Sequence, residues 1–230
     1  MAAGLDLLRD APAKERGRGL TRERIVRAAV ELADADGVEA VSMARVAERV
    51  GFTTMSLYRH VRGKDELVLL MTNEAIGEPP EHPEAGDWRA RLERWCWDLV
   101  EGVRRHPWLL DVPLSRPPWT RGQLVWLDRA LAALAGTGLT ESEKAASILL
   151  LNGHVFSQAR FVADLGEPQD LTAYVDGLKR LLDDARFPAL KRAVDAGIFD
   201  PEGEEPDDDF RFGLERVLDG IERLVDLRAT

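Results

Sequence analysis

A run of hydrogen-bonding side chains between residues 53 and 60 is the clearest candidate for a binding surface in this sequence. If the segment is helical, Leu57 and Val61 turn inward together because they are four residues apart. The side chains left outside are Thr53, Thr54, Met55, Ser56, Tyr58, Arg59 and His60. Their polar and methyl groups suit the base edges and phosphates of a DNA groove. Any small helical hairpin also leaves polar residues outside, so spacing alone leaves DNA binding and an ordinary solvated surface both open.

Three short helices are predicted to hold this segment in place. Apolar residues recur at helical spacing over 21–36, and Gly37 suits the left-handed position after a helix. Ser42 can cap a second helix that Gly51 ends. A third helix, capped by its first threonine, is predicted over about 53–60. Two helices joined by a tight glycine turn form a helix-turn-helix.

The remaining apolar pattern predicts an all-α protein with a second, larger domain. A connecting helix is predicted over 65–76, and the stretch 77–87 is too rich in Pro, Gly and Glu to continue it. Further helices are predicted over 88–105, 107–112, 121–135, 141–164, 170–184 and 209–228. The predicted organisation is a flexible basic arm at 1–19, a helix-turn-helix domain with its connecting helix at 20–76, and a larger helical domain at 88–230.

Charge is distributed unevenly along the chain. The net charge is −10, which by itself argues against a nucleic-acid partner because phosphate contacts need Lys and Arg. Residues 1–64, however, hold 12 Lys or Arg and 9 Asp or Glu, a net of +3, which leaves −13 for the remainder. The candidate DNA-binding segment therefore lies in the basic part of the chain.

The sequence lacks the features of several other protein classes. Cys96 is the only cysteine, so it can form neither an internal disulfide nor a thiolate zinc site, and the four histidines have no ligand spacing. No apolar stretch approaches the roughly 20 residues of a membrane span, and the first residues lack the apolar core of a signal peptide. We therefore predict a cytoplasmic protein with no cofactor, no metal and no membrane partner.

Two other kinds of function are alternatives to DNA binding. An all-helical enzyme would need a nucleophile, a base or a metal set, and the sequence offers no such combination. A helical protein-interaction module without DNA affinity would have the same helix pattern. We predict that the chain is not an enzyme.

Residues 21–68 closely resemble the N-terminal domain of TetR-family repressors. The run reads TRERIVRAAVELADADGVEAVSMARVAERVGFTTMSLYRHVRGKDELV, with the helix start, the Gly37 stop and the GKDEL continuation in register with that family. The resemblance implies a three-helix DNA-binding domain, a connecting fourth helix and a larger helical domain that binds a ligand and forms a homodimer. A two-fold dimer is expected to read a pseudo-palindromic double-stranded operator. We further predict a repressor that leaves its operator when a small, mainly apolar effector binds, because the second domain is far larger than DNA binding needs and is rich in aromatic residues.

The resemblance assigns roles to side chains at the DNA surface. The residues placed against bases are Thr54, Met55, Ser56 and Arg59. The residues placed against phosphates are Ser42, Arg45, Thr53, Tyr58, His60 and Lys64. Arg59 is the leading candidate for base readout, because one guanidinium can bind O6 and N7 of guanine together.

A possible effector pocket in the larger domain is suggested by aromatic and polar side chains. The candidates are Trp95, Trp126, Asn152, His154 and Gln158. The last three lie on an otherwise apolar predicted helix, where leaving each unpaired would cost about 1–3 kcal/mol. A ligand can satisfy them, and so can neighbouring residues. Tryptophans at helical spacing are likewise more often core than pocket wall.

The dimer interface is predicted on the helices 141–164 and 209–228, which form a four-helix interface in the family that the chain resembles. Both carry a pronounced apolar pattern, and the first is apolar on more than one face. The predicted contact residues are Leu151, Val155, Leu214, Leu218, Ile221 and Val225.

Overall fold

Helices make up the regular structure of the described part of the chain. The computed structural model describes residues 19–82, 86–112, 120–165, 172–183, 185–199 and 207–229, so most of the predicted basic arm lies outside the described residues. The α-helices are α1 (Arg22–Asp36), α2 (Met43–Val50), α3 (Thr54–Leu57), α4 (Lys64–Ile76), α5 (Trp88–Arg105), α6 (Arg121–Ala133), α7 (Glu141–Leu165), α8 (Thr172–Leu181), α9 (Pro188–Asp195) and α10 (Asp208–Ala229). Two 3-10 segments cover Val38–Ala40 and Pro107–Asp111. Within the described ranges there is no strand, and the all-α prediction is confirmed.

Side-chain caps begin the first three helices, and two of them, Ser42 and Thr53, are the caps that the sequence predicts. The hydroxyls of Thr21, Ser42 and Thr53 each accept a hydrogen bond from the backbone N–H three residues ahead. Gly51 ends α2 in the left-handed conformation, with a φ of 77° that a residue with a side chain would adopt only under strain. α3 is shorter than predicted, since it ends at Leu57 and the chain continues in turns.

The core of α1 to α4 includes residues from far along the chain. Trp108 and Leu109, in the 3-10 segment after α5, are buried in this core. Asp34 of α1 accepts hydrogen bonds from the Trp108 indole and the His106 imidazole, each at 2.7 Å. The segment 107–111, which lies in the predicted larger domain, therefore packs with the first four helices.

α5, α6, α7 and α10 pack around a second core. Its fully buried side chains include Leu92 of α5, Leu134 after α6, Leu151 of α7 and Leu214 of α10. Each helix thus contributes an apolar face to one shared interior. Although α7 is apolar over much of its length, neither it nor any other described helix is long and apolar enough to cross a membrane.

α8 lies within the predicted helix 170–184, and a further helix that the sequence does not predict follows it. α8 ends at Leu181, and the unpredicted helix is α9. Pro188 begins α9, and the fixed φ of proline suits the first turn of a helix. α9 has eight residues, little more than two turns, and unlike the equally short α2 it has no side-chain cap, so neither its apolar period nor its start stands out in the sequence. The predicted start at residue 170 lies outside the described residues.

Candidate functional site

The helix-turn-helix presents much of its predicted DNA-contacting surface to solvent. Leu57 and Val61 are buried beneath α3, as their four-residue spacing predicts. Met55 is 75% exposed, and Tyr58 and Arg59 are exposed as well. The accessible face of this segment therefore offers a methyl group, a phenol hydroxyl and a guanidinium.

Hydroxyl side chains fix the starts of both helices of the site. Thr53 accepts from the Ser56 N–H, and its Oγ1 lies 3.0 Å from the Ser56 hydroxyl oxygen. Ser42 accepts from the Arg45 N–H at 3.2 Å. Because Ser42 uses only its oxygen there, its hydroxyl proton can still be donated to a phosphate. Thr54, the first residue of α3, is half-buried.

Two of the residues predicted to bind phosphate, Arg45 and Lys64, differ in whether they already form an ion pair within the protein. Arg45 donates to Asp36 at 2.5 Å and to the Ala40 carbonyl at 3.2 Å. Lys64 is exposed in the first turn of α4 and has no ion-pair partner among the described residues. Lys64 is therefore available to a phosphate as it stands, whereas Arg45 would first have to leave Asp36.

Two arginines of α1 support the site, although the sequence pattern does not mark them. Arg22 donates through Nε to the His60 carbonyl at 3.2 Å, which ties the turns after α3 to the start of α1. Arg24 donates to the Gly19 carbonyl at 2.6 Å, and its guanidinium lies 5.7 Å from the centre of the Phe52 ring. Charged residues on an exposed helix face carry no periodic signal, so only the tertiary structure reveals these contacts.

Trp95 and Trp126 are buried against each other in the larger domain. Their rings meet edge to face, with centres 5.9 Å apart. The Trp95 indole N–H donates to the Trp126 carbonyl at 3.0 Å, and the Trp126 indole N–H donates to the Gly77 carbonyl at 3.2 Å. Trp126 thereby attaches α6 to the residue that follows α4.

The three polar residues predicted for the pocket lie in different surroundings on α7. His154 Nε2 is 3.0 Å from the Phe210 carbonyl oxygen, and the two rings stack with centres 5.2 Å apart. Gln158 lines a surface cleft of about 180 Å³, and Asn152 is half-buried. For His154, the alternative in which a neighbour satisfies the imidazole is the one observed, since α10 supplies the partner.

Gly213→Ala is expected to weaken the packing of α10 against α7. A Cβ atom at residue 213 would lie 2.3 Å from Cε1 of His154, far inside van der Waals contact. Relief requires the imidazole to move away from the Phe210 carbonyl, so we expect a loss of about 1–3 kcal/mol in the free energy of unfolding, measured by urea titration. Gly177→Ala on α8 is the matched control, because a Cβ there meets nothing within 4 Å. Equal effects of the two substitutions would contradict this prediction.

The structure buries most of the predicted dimer contacts within a single chain. Five of the six residues are at most 4% exposed within one subunit: Leu151, Val155, Leu214, Leu218 and Ile221. They belong to the core that α7 and α10 share with α5 and α6, and Val225 is half-buried beside them. The apolar stripe of each helix faces the interior of its own chain, so Leu151, Val155, Leu214 and Leu218 have almost no surface to offer a partner. Ile221 also lines a groove between α7 and α10.

A different apolar surface lies between α7 and α10. A groove of about 540 Å³ runs between the two helices, and Leu150, Val217 and Leu224 contribute to its lining. Leu150 is 56% exposed, and Leu149 beside it is 71% exposed. Exposed apolar side chains grouped in this way are typical of protein–protein contacts.

Glu143 belongs to the capping box that begins α7 and also forms an ion pair with α10 at the edge of this groove. Thr140 and Glu143 exchange hydrogen bonds between side chain and backbone, which begins α7 as the sequence predicts. Arg228 of α10 donates to the same carboxylate at 2.5 Å. The hydrogen bond from Arg228, followed by those from Thr140, lowers the pKa of Glu143 from 4.5 to about 2.

Glu143→Gln is expected to lower the melting temperature at neutral pH and to have less effect in acid. Because the folded state holds the lower pKa, the ionised carboxylate stabilises the fold above about pH 4.5, and this contribution is lost as the pH falls toward 2. The difference should be small, because both side chains of the ion pair are partly exposed. Thermal unfolding of both proteins at stepped pH measures it, and a difference that widens in acid would contradict the assignment.

The described residues contain neither a candidate metal cluster nor a reactive thiol. No group of three or more His, Cys, Asp or Glu side chains that could hold a metal ion occurs in this part of the chain. Cys96 is buried, and burial raises the pKa of its thiol, so the thiol is not a nucleophile at neutral pH.

An exposed helix-turn-helix, joined through α4 to a larger helical domain, defines the class of DNA-binding regulators. Residues 25–71 match the family described as bacterial regulatory proteins, tetR family. Residues 79–225 match the family described as the tetracyclin repressor-like C-terminal domain. The chain therefore belongs to the TetR family. It is a DNA-binding transcriptional regulator and not an enzyme.

Named relatives span nearly the whole chain. The chain is 37% identical to the HTH-type transcriptional repressor DrrR1 of Streptomyces coeruleorubidus. The alignment is 240 residues long and covers 98% of this chain and 87% of that protein. The crystal structure of ActR from Streptomyces coelicolor with actinorhodin is 28% identical, with a TM-score of 0.75 over 92% of this chain and 96% of ActR. ActR with (S)-DNPA is also 28% identical, with a TM-score of 0.72 over 88% of this chain and 97% of ActR.

Proposed function

We propose that this regulator is a homodimeric repressor that releases a pseudo-palindromic operator when a small, mainly apolar molecule binds its larger domain. The observation that carries the proposal is the exposed polar face of α3 and its following turns, seated on buried Leu57 and Val61. A relative named as a repressor supports repression, and the structure of ActR with actinorhodin supports ligand binding by analogy.

In this proposal α3 enters the major groove and α2 lies across the DNA backbone. The side chains that read bases are Thr54, Met55, Ser56 and Arg59. The side chains that bind phosphates are Ser42, Arg45, Thr53, Tyr58, His60 and Lys64. Arg45 exchanges its ion pair with Asp36 for a phosphate, which makes its net contribution smaller than that of Lys64.

The dimer in this proposal is two-fold and uses the outer faces of α7 and α10. The groove lined by Leu150, Val217 and Leu224 packs against the same groove of a second copy, because a two-fold interface joins identical surfaces. The two recognition segments then face successive major grooves, about 34–36 Å apart. An operator with two-fold symmetry is the expected partner.

α4 carries the ligand signal in this proposal because its C-terminal end is docked on α6. The Gly122 N–H donates to the Asn73 side chain at 3.0 Å, and Trp126 donates to the Gly77 carbonyl at 3.2 Å. The contact is close, since a Cβ on Gly122 would lie 2.7 Å from the Gly77 oxygen. A shift of α6 therefore moves α4. Changing operator occupancy from 99:1 to 1:99 requires a ligand preference of about 5.5 kcal/mol for the DNA-free form.

Gel-shift and footprinting titrations with the DNA upstream of the gene test the proposal. We expect two protected half-sites about one helical turn apart and an affinity that falls as salt rises, because the protein displaces counterions from phosphates. Scrambled DNA of the same length is the control. Equal affinity for both DNAs, or no salt-sensitive shift at all, would overturn the proposed function.

A further inference from the structure

A cleft lies where the segment that follows α4 crosses α5 and α6. It has a volume of about 250 Å³, and its roof is formed by residues 79–82, with α5 and α6 as its walls. Arg129 of α6 holds the roof, since its guanidinium donates to the carbonyls of Pro79 and Pro80 at 2.8 and 2.5 Å. His82, at the end of the roof, bonds to Asp98 of α5 at 2.7 Å. The roof is thus attached to both walls by polar contacts.

Cations outnumber anions in the lining of this cleft. It contains three guanidinium groups, from Arg91, Arg94 and Arg129, and two carboxylates, from Glu81 and Asp98. Asp98 is already bonded to His82, and Arg129 to the roof carbonyls. The Arg91 guanidinium has no hydrogen-bond or ion-pair partner among the described residues. An occupant with a negative charge can therefore gain a charge-assisted hydrogen bond there.

Apart from His82, the rest of the lining is apolar and includes an aromatic side chain. Trp95 and Ala133 contribute to the walls, and Pro79 and Pro80 contribute to the roof. The Trp95 indole N–H is already donated to the Trp126 carbonyl, so Trp95 offers an occupant its apolar ring. The volume is below the roughly 300–1,000 Å³ of sites for drug-sized molecules, so it suits one or two fused rings.

We propose that this cleft is the effector site and that it binds a small planar aromatic carboxylate, with the acid on Arg91 and the ring system on Trp95. The inference rests on the proposed repressor function and deepens it by naming a ligand class. The roof continues directly from α4, whose end is attached to α6 through Trp126 and Gly77. A ligand that moves the roof therefore acts on the helix that joins the larger domain to the helix-turn-helix.

Titration of the full-length protein with 1-naphthoate, followed by tryptophan fluorescence and calorimetry, tests the site. We expect saturable binding that weakens at least about tenfold in Arg91→Gln, the loss of one charge-assisted hydrogen bond. The neutral isostere 1-naphthamide should bind at least about tenfold more weakly than the acid to the wild type. Arg105→Gln is the matched control, because it removes the same charge from an exposed position on α5 whose Nε is bonded to the Glu101 carbonyl instead. Thermal unfolding checks that both variants fold.

Three outcomes would overturn the site: no saturable binding of 1-naphthoate up to about 1 mM, equal binding of acid and amide, or equal losses in the two variants. Binding of the wild type to its operator, measured first without naphthoate, separates this inference from the proposed function. If the protein binds its operator but not naphthoate, the ligand site is rejected and the proposed repressor function stands. If naphthoate binding depends on Arg91 but the protein does not bind its operator, the ligand site is supported and the proposed repressor function is rejected.

Discussion

Leu150→Glu is expected to dissociate the dimer and to abolish tight operator binding in the same protein. Leu150 is 56% exposed in one subunit and lines the groove between α7 and α10, where the partner is proposed to pack. Two-fold symmetry places a glutamate in the interface from each subunit. If burying each carboxylate away from water costs about 2 kcal/mol of dimerisation free energy, the dimer Kd rises about a thousandfold. Sedimentation at micromolar concentration and operator titration measure the two effects.

Leu124→Glu on α6 is the control for this substitution, because Leu124 is also exposed but lies away from the groove. It should leave the sedimentation of the dimer unchanged. Leu218→Glu would be uninformative, since Leu218 is 1% exposed in the core of its own subunit and a charge there would unfold the protein. A Leu150→Glu protein that stays dimeric would place the interface elsewhere.

Arg59→Ala is expected to weaken operator binding by about 1–3 kcal/mol and to relax the preference for one base pair in each half-site. The guanidinium is exposed on the turn after α3, where it can bind a guanine edge. Lys64→Ala is the matched comparison, because Lys64 at the start of α4 is proposed to bind phosphate, and a phosphate contact carries no sequence information. It should weaken all sequences alike.

Binding isotherms on operator and scrambled DNA at several salt concentrations separate the two roles. Lys64→Ala should reduce the slope of log affinity against log salt by about one unit, because one fewer counterion is released. Arg59→Ala should lower the ratio of operator to scrambled affinity, which Lys64→Ala leaves unchanged. An equal loss of specificity in both proteins would refute the assignment of these side chains.

Much of the helix-turn-helix was predictable because its determinants are local. Ser42 and Thr53 cap N–H groups three residues ahead, and Gly51 takes a left-handed φ, so each feature depends on a few neighbouring residues. The burial of Leu57 and Val61 follows from four-residue spacing in the same way. The capping box that begins α7 is equally local. The roles of individual side chains at the DNA stay predictions.

Most helices of the larger domain were predictable from the sequence, but the surfaces that cover their apolar faces were not. A period of 3.6 residues shows that a helix has an apolar face, yet it does not show whether its own subunit or a partner covers that face. Leu218 and Val155 are covered from within, and the exposed Leu150 surface becomes visible only when α7 and α10 are placed side by side.

The sequence alone determined the all-α class and the position of the helix-turn-helix, because both depend on residues near each other in the chain, and the same run of residues indicated the family. Tertiary structure alone decided that His154 bonds to the Phe210 carbonyl and that Trp108 completes the core beneath the helix-turn-helix. It also decided that Arg129 attaches the segment after α4 to α6. These contacts join residues roughly 50 or more positions apart, so they depend on how whole helices pack, which no local pattern encodes.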